Sequence, residues 1–221
     1  MKKGIFIAGA GTDTGKTYIS ALITKKLISS DINAGYYKAV ISGGPGDAEY
    51  VCQKARLKDS PKDLISFVFD TPVSPHLAAN IEKNQINTEK IFNDFQYLKK
   101  RYDYLTVEGA GGLICPLKFT NDEIIMQTDI IRLLNLNIIL CIPSGLGTIN
   151  NTVLTTFYAK ENKLNIKGII MNNFEEDNFL HLDNKKMIEL LTGIPILFCV
   201  PPKCENLDLK TEIITKLYGD V

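Results

Sequence analysis

From Gly9 to Thr17 the chain reads GAGTDTGKT, three glycines and three threonines with one aspartate and one lysine. Glycine gives up packing and loses more backbone entropy on folding than any other residue. Three of them at the junction between two apolar segments imply a ligand that must approach bare backbone, and Lys16 implies that the ligand is negative. A glycine-rich loop opening a helix aims successive N–H groups and the positive end of the helix dipole at one point, which is a cradle for phosphates. In such a cradle the backbone of Thr12, Asp13, Thr14 and Gly15 wraps the anion. Lys16 reaches the β- and γ-phosphates, and the Thr17 hydroxyl ligates Mg²⁺. The strict GxxxxGK[ST] spacing puts Ala10 at the first glycine; Gly9 lies one residue earlier, so the loop is a lengthened variant. The competing reading is a glycine-rich turn capped by Thr14 or Thr17.

Mg²⁺ takes one or two carboxylates together with water and phosphate oxygens. Glu108, in YLTVEGAGG, ends an apolar run and is followed by glycines that let backbone approach a ligand. Asp47, in GGPGDAEY, reads equally well as a metal ligand and as the N-cap of a helix. Lys38, in YYKAVISGG, is by itself an ordinary solvated lysine, yet it is the best second cation for phosphoryl oxygens. The three arginines, Arg56, Arg101 and Arg132, lie away from these loops. His76 and His181 are isolated in sequence, and no CxxC pair accompanies them, so a zinc site is not expected.

The elements that must position these residues alternate. Strand candidates are Gly4–Ala8, Ala34–Val40, Ile65–Phe69, Tyr104–Glu108, Asn137–Pro143, Lys167–Asn172 and Ile194–Val200. Helical patterns cover Lys16–Ser29, Asp47–Leu57, Thr88–Lys100, Asn121–Leu134, Asn150–Asn162, Asp183–Leu191 and Lys210–Tyr218. Several strands are apolar throughout, as when helices cover both faces of a parallel sheet. The expected fold is a doubly wound α/β domain with a mostly parallel seven-stranded sheet. Nothing in the composition divides residues 1–221, so one domain is expected. Ligands of such sheets bind beyond the carboxyl ends of the strands. The polar residues that follow strands, namely the Gly9 loop, Lys38, Glu108, Gly145–Asn151 and Asn172, therefore define one site edge.

Composition narrows the partners. The chain has 221 residues, 45% of them hydrophobic, and its 25 basic residues balance 25 acidic ones. A net charge of zero lacks the basic footprint of a nucleic-acid or anionic-membrane binder. No run approaches the roughly 20 apolar residues of a membrane span. The five cysteines are odd in number and scattered, which fits a reduced, cytoplasmic protein.

Taken together, GAGTDTGKT, YYKAVISG, GDAEY, TPVSPHLAA, VEGAGGLICPL, GLGTINNTVLT, GIIMNNF and VPP, in that order, resemble the dethiobiotin synthetases of biotin synthesis. The resemblance implies a P-loop NTPase-type α/β fold, a homodimer, and ATP with Mg²⁺. It implies the substrates 7,8-diaminononanoate and CO₂, joined through a carbamate and a carbamic–phosphoric anhydride. Carried over by position, Lys16 and Lys38 match the phosphate- and carbamate-binding lysines, and Thr17, Asp47 and Glu108 match the Mg²⁺ ligands. Thr12, Ser42 and Gly111 fall where the family lines its substrate site, and Asn172 falls where it reads adenine. Gly147, Thr148, Ile149, Asn150 and Asn151 match the helix start that receives the substrate carboxylate across the dimer. The chain departs from the family at Ala39, where proline is usual, and Cys115 has no assigned role. Two further readings stay open: another synthetase of this superfamily, for example one acting on a corrinoid acid, and a nucleotide-dependent switch or assembly ATPase. The latter would be expected to carry a lysine where the loop has Gly11.

Overall fold

The structure is a computed structural model and describes residues 2–221. In chain order its strands and helices are β1 (Lys3–Gly9), α1 (Lys16–Ile28), β2 (Ala34–Ser42), α2 (Gly46–Ala55), β3 (Ile65–Phe69), α3 (Pro75–Ile81), α4 (Thr88–Arg101) and β4 (Tyr104–Glu108). They continue with β5 (Pro116–Phe119), β6 (Ile124–Met126), α5 (Gln127–Leu133), β7 (Ile138–Pro143), α6 (Thr148–Glu161), β8 (Ile166–Asn172), α7 (Phe179–Thr192), β9 (Ile196–Val200), α8 (Thr211–Thr215) and β10 (Gly219–Asp220).

Seven strands form one sheet in the order β3-β2-β4-β1-β7-β8-β9, and every pairing along that path is parallel. The short β10 adds an antiparallel partner at Lys3 and Gly4, ahead of the point where β7 begins to pair with β1 at Phe6. A parallel sheet with helices on both faces must bury both sides of its strands. Phe6 and Ala8 accordingly enter one apolar cluster, while Ile5 and Ile7 enter the other with Ile19, Leu22, Ile23 and Leu27 of α1. On the first face α4 inserts Ile91, Phe95 and Leu98, the i, i+4, i+7 stripe of a surface helix. Asn87 caps α4 by accepting from the Glu89 and Lys90 amides, and Lys99, Lys100 and Arg101 oppose the dipole at its other end.

Six of the seven expected helices and all seven expected strands occur, with ends shifted by a few residues. The seventh helix is a correction. Residues 121–134 do not form one helix: β5 and β6 pair as an antiparallel hairpin, and α5 starts only at Gln127. The turn residues Asn121 and Asp122 and the β-branched pair Ile124–Ile125 favour a hairpin. The Thr120 amide donates to the Glu123 carbonyl at 2.9 Å, and Lys118 pairs with Glu123 at 2.7 Å. Helix α3, with Pro75 at its first turn after Ser74, was not expected from periodicity; its seven residues are too few to show one. Strand β9 starts at Ile196 rather than Ile194.

Candidate active site

Parallel register brings the carboxyl ends of the central strands to one edge. Lys38 of β2 lies opposite Glu108 of β4, Glu108 opposite Ile7 of β1, and Gly9 opposite Cys141 of β7. Beyond this edge lies a cavity of about 1020 Å³. The phosphate loop contributes Thr12, Asp13, Gly15, Lys16 and Thr17 to its wall. From the neighbouring strands and loops come Lys38, Ser42, Asp47, Glu108 and Gly111.

The loop is built by backbone. Gly15 sits at the helix entrance with φ 91°, a left-handed conformation costly for any residue with a side chain. No side chain caps α1: Thr17 instead donates from Oγ1 to Glu108 Oε1 at 2.8 Å. A side chain on Gly9 would meet the Gly11 carbonyl and Thr14 Oγ1, both at 2.6 Å, so the loop closes on itself there. The Lys16 ammonium donates to the Gly11 carbonyl at 3.2 Å. Burial, reinforced by nearby Lys38, holds the Lys16 ammonium below the ordinary lysine value against the opposing pull of Glu108.

Asp47 is in the first turn of α2 but is not its cap; that position is Pro45. The Asp47 carboxylate accepts from Lys38 Nζ, which also donates to Glu108 Oε1 at 2.6 Å. Burial alone would lower the Lys38 ammonium, but the charges of Glu108 and Asp47 and their hydrogen bonds outweigh it, and its pKa lies above the usual lysine value. Lys38 Nζ thus bridges the Asp47 and Glu108 carboxylates, and the Thr17 hydroxyl bonds to the same Glu108 oxygen. Among the described residues no group of three or more His, Cys, Asp or Glu side chains could hold a metal alone. Two carboxylates and a hydroxyl fit Mg²⁺, which takes the rest of its shell from phosphate and water.

The other expected residues lie apart from the cavity. Thr14 is buried beneath the loop with no partner for its hydroxyl. Asn172 ends β8 behind the loop, where its Nδ2 donates to the Thr14 carbonyl at 3.3 Å and its buried Oδ1 has no partner. Gly147, with φ 86°, opens α6 without a side-chain cap. Thr148 is buried and donates from Oγ1 to the Pro143 carbonyl at 2.7 Å, while Ile149, Asn150 and Asn151 continue the helix.

Several neighbours carried no sequence signal. Tyr36, fully buried, donates its hydroxyl to Glu108 Oε2 at 2.8 Å. Gln127 spans the glycine run after Glu108: its Oε1 accepts from the Ala110 amide at 2.6 Å and its Nε2 donates to the Gly112 carbonyl at 2.9 Å. Asn184 of α7 donates to the Ser144 and Gly145 carbonyls before α6 at 2.8 and 3.1 Å. Only the i, i+2 spacing of Tyr36 and Lys38 in one strand hinted at any of these. Cys115 lines the cavity as a neutral thiol, burial pushing its pKa up to about 11.

A phosphate loop after the central strand of a doubly wound parallel sheet, with lysines and carboxylates at the strand ends, defines a P-loop nucleotide-binding protein. Solved structures with this fold include a putative plasmid partition protein from Borrelia burgdorferi B31 bound to AMPPNP, 16% identical with a TM-score of 0.57, covering 98% of this chain and 97% of that one. The septum site-determining protein MinD complexed with Mg-ADP from Pyrococcus horikoshii OT3 is 14% identical with a TM-score of 0.56, covering 98% and 96%. A family model described as "AAA domain" matches residues 3–208. ATP-dependent dethiobiotin synthetase BioD of Clostridium botulinum (strain Alaska E43 / Type E3) is 45% identical over 99% of both chains. The same enzyme of Clostridium perfringens (strain 13 / Type A) is 44% identical over 99% of this chain and 100% of its own. The chain belongs to the ATP-dependent dethiobiotin synthetase family.

Proposed function

We propose that the chain converts 7,8-diaminononanoate, CO₂ and ATP into dethiobiotin, ADP and phosphate. The observation that carries the assignment of roles is the convergence of Lys16, Lys38, Thr17, Asp47 and Glu108 on one cavity at the strand ends. One substrate amine adds to CO₂ and loses a proton, giving a carbamate. A carbamate oxygen then attacks the γ-phosphorus of ATP, and ADP leaves. The second amine attacks the carbonyl carbon of the mixed anhydride, closing the cyclic urea, and phosphate departs with the carbamate oxygen.

A carbamate and a triphosphate are both anions, so the residues must first offset repulsion. Lys16 holds the β- and γ-phosphates, and Lys38 holds the carbamate and the transferring group. Thr17, Asp47 and Glu108 would hold Mg²⁺, which when bound neutralises phosphate charge. The loop backbone from Thr12 to Gly15 cradles the phosphates; Thr12, Ser42 and Gly111 border the diamine. Fixing both reactants in line can supply about 7–11 kcal/mol of barrier reduction, and the carbamate is already a nucleophile without a general base. Asn172 has a buried, unpartnered amide oxygen beside the loop, suited to accept from the adenine amino group.

The chain acts as one P-loop domain and as a homodimer. Gly147–Asn151 at the start of α6 receive the substrate carboxylate from the neighbouring subunit's site. Leu146, Phe157 and Phe179 are 91%, 62% and 85% exposed, an apolar surface on and beside α6 and α7 that a second copy would cover. No described helix is long and apolar enough to cross a membrane; a cytoplasmic setting accords with the five free, scattered cysteines, and the lack of a nucleic-acid partner with the zero net charge. Turnover with ¹⁸O-labelled CO₂ tests the chemistry: one labelled oxygen should appear in phosphate, and unlabelled phosphate would contradict the anhydride.

A further inference from the structure

The two oxygens of Glu108 have different partners. Oε1 accepts from Thr17 Oγ1 at 2.8 Å and from Lys38 Nζ at 2.6 Å, on the cavity side. Oε2 accepts from the Tyr36 hydroxyl at 2.8 Å. Tyr36 and Lys38 lie two residues apart in β2, and β4 presents Thr106 and Glu108 opposite them. Strand pairing therefore aims a phenol and an ammonium at the same carboxylate from one side of the sheet.

We propose that Tyr36 is a positioning residue for the metal site, its hydroxyl holding Glu108 Oε2 so that Oε1 alone faces Thr17 and the cation. A carboxylate with both oxygens free can turn about its terminal torsion, which is broad, and can chelate with either or both atoms. One fixed donor removes that freedom. Tyr36 is fully buried in packed surroundings, so its ring cannot follow a carboxylate that rotates. The inference rests on Glu108 being a metal ligand, and partners of metal ligands are typically worth about 10–100-fold in metal affinity.

Mn²⁺, counted by the electron paramagnetic resonance of the free ion, is the probe, titrated onto the ADP complexes of wild type, Tyr36→Phe and Glu108→Gln. Tyr36→Phe should raise the Mn²⁺ Kd by about 10-fold while metal-free ADP affinity, measured by calorimetry, stays within about two-fold. If Glu108→Gln binds Mn²⁺ like wild type, the ligand assignment falls and this inference falls with it. If Glu108→Gln is weakened but Tyr36→Phe is not, Tyr36 alone loses its role. Equal loss of ADP binding with and without metal in Tyr36→Phe would make the residue a packing element and overturn the proposal. Should the phenylalanine variant not fold, 3-fluorotyrosine placed at position 36 keeps ring and donor. Its ¹⁹F resonance should move when Mg²⁺ is added to the ADP complex, and a resonance that stays in place contradicts the inference.

Discussion

Deleting the Lys38 charge would leave Glu108, whose side chain has no exposed surface, with two neutral donors and no directly bonded counter-charge. Breaking a buried pair in this way costs about 3–5 kcal/mol. Lys38→Met should therefore lower the melting temperature of the metal-free protein, and Mg²⁺ with ADP should recover much of the loss by supplying Glu108 with a counter-charge. The same variant should bind ATP and fail to form product; wild-type product formation at saturating bicarbonate would remove Lys38 from the chemistry. Asp47 has a 40% exposed side chain, so Asp47→Asn should raise the Mg²⁺ requirement less than Glu108→Gln does. A magnesium titration of the rate decides the order. Lys38 and Asp47 were ambiguous in sequence, a solvated lysine and a helix cap, because their meaning lies in each other and in Glu108, 70 residues beyond Lys38. Beyond its i, i+2 spacing from Lys38, Tyr36 was silent for the same reason, its partner being 72 residues away.

Elements set these contacts, and the phosphate loop shows how tightly. A methyl group on Gly15 would lie 2.0 Å from Asn172 Nδ2, on a backbone whose φ is 91°. Gly15→Ala must displace either the loop or the residue proposed to read adenine, at a cost of about 1–3 kcal/mol of strain. Fluorescent-nucleotide titration should show weakened ATP binding with the base preference narrowed; unchanged affinity and preference would separate Asn172 from the nucleotide site. Asn184 anchors the turn that starts α6, so Asn184→Ala should raise the KM for diaminononanoate by roughly 10-fold, the value of one or two lost bonds to buried carbonyls. An equal rise for ATP would assign Asn184 to general stability. The loop, the parallel strands and six of the seven expected helices were legible because period and glycine placement are local signals. The β5–β6 hairpin was not: two strands of four and three residues are too short to show alternation, and Ile124–Leu134 has enough apolar residues to mimic a helix.

At the scale of the whole molecule, seven parallel strands carry every proposed reacting group to one edge, so the sheet itself aligns the site. The start of α6, proposed to receive the substrate carboxylate, does not line the cavity of its own chain, which is the ground for proposing that a second copy completes the site. Sedimentation should give a particle of twice 24.6 kDa, and Phe157→Glu, on exposed apolar surface, should dissociate it with loss of diaminononanoate binding before ATP binding. Mixing Lys16→Ala subunits with Asn151→Asp subunits should restore some activity, since one hybrid site escapes both lesions; an active monomer would refute the shared site. The most direct test of the central claim counts ADP against dethiobiotin with each substrate withheld in turn. ADP should appear only when diaminononanoate and CO₂ are both present, one for each dethiobiotin formed, whereas ADP release indifferent to both compounds would contradict the account.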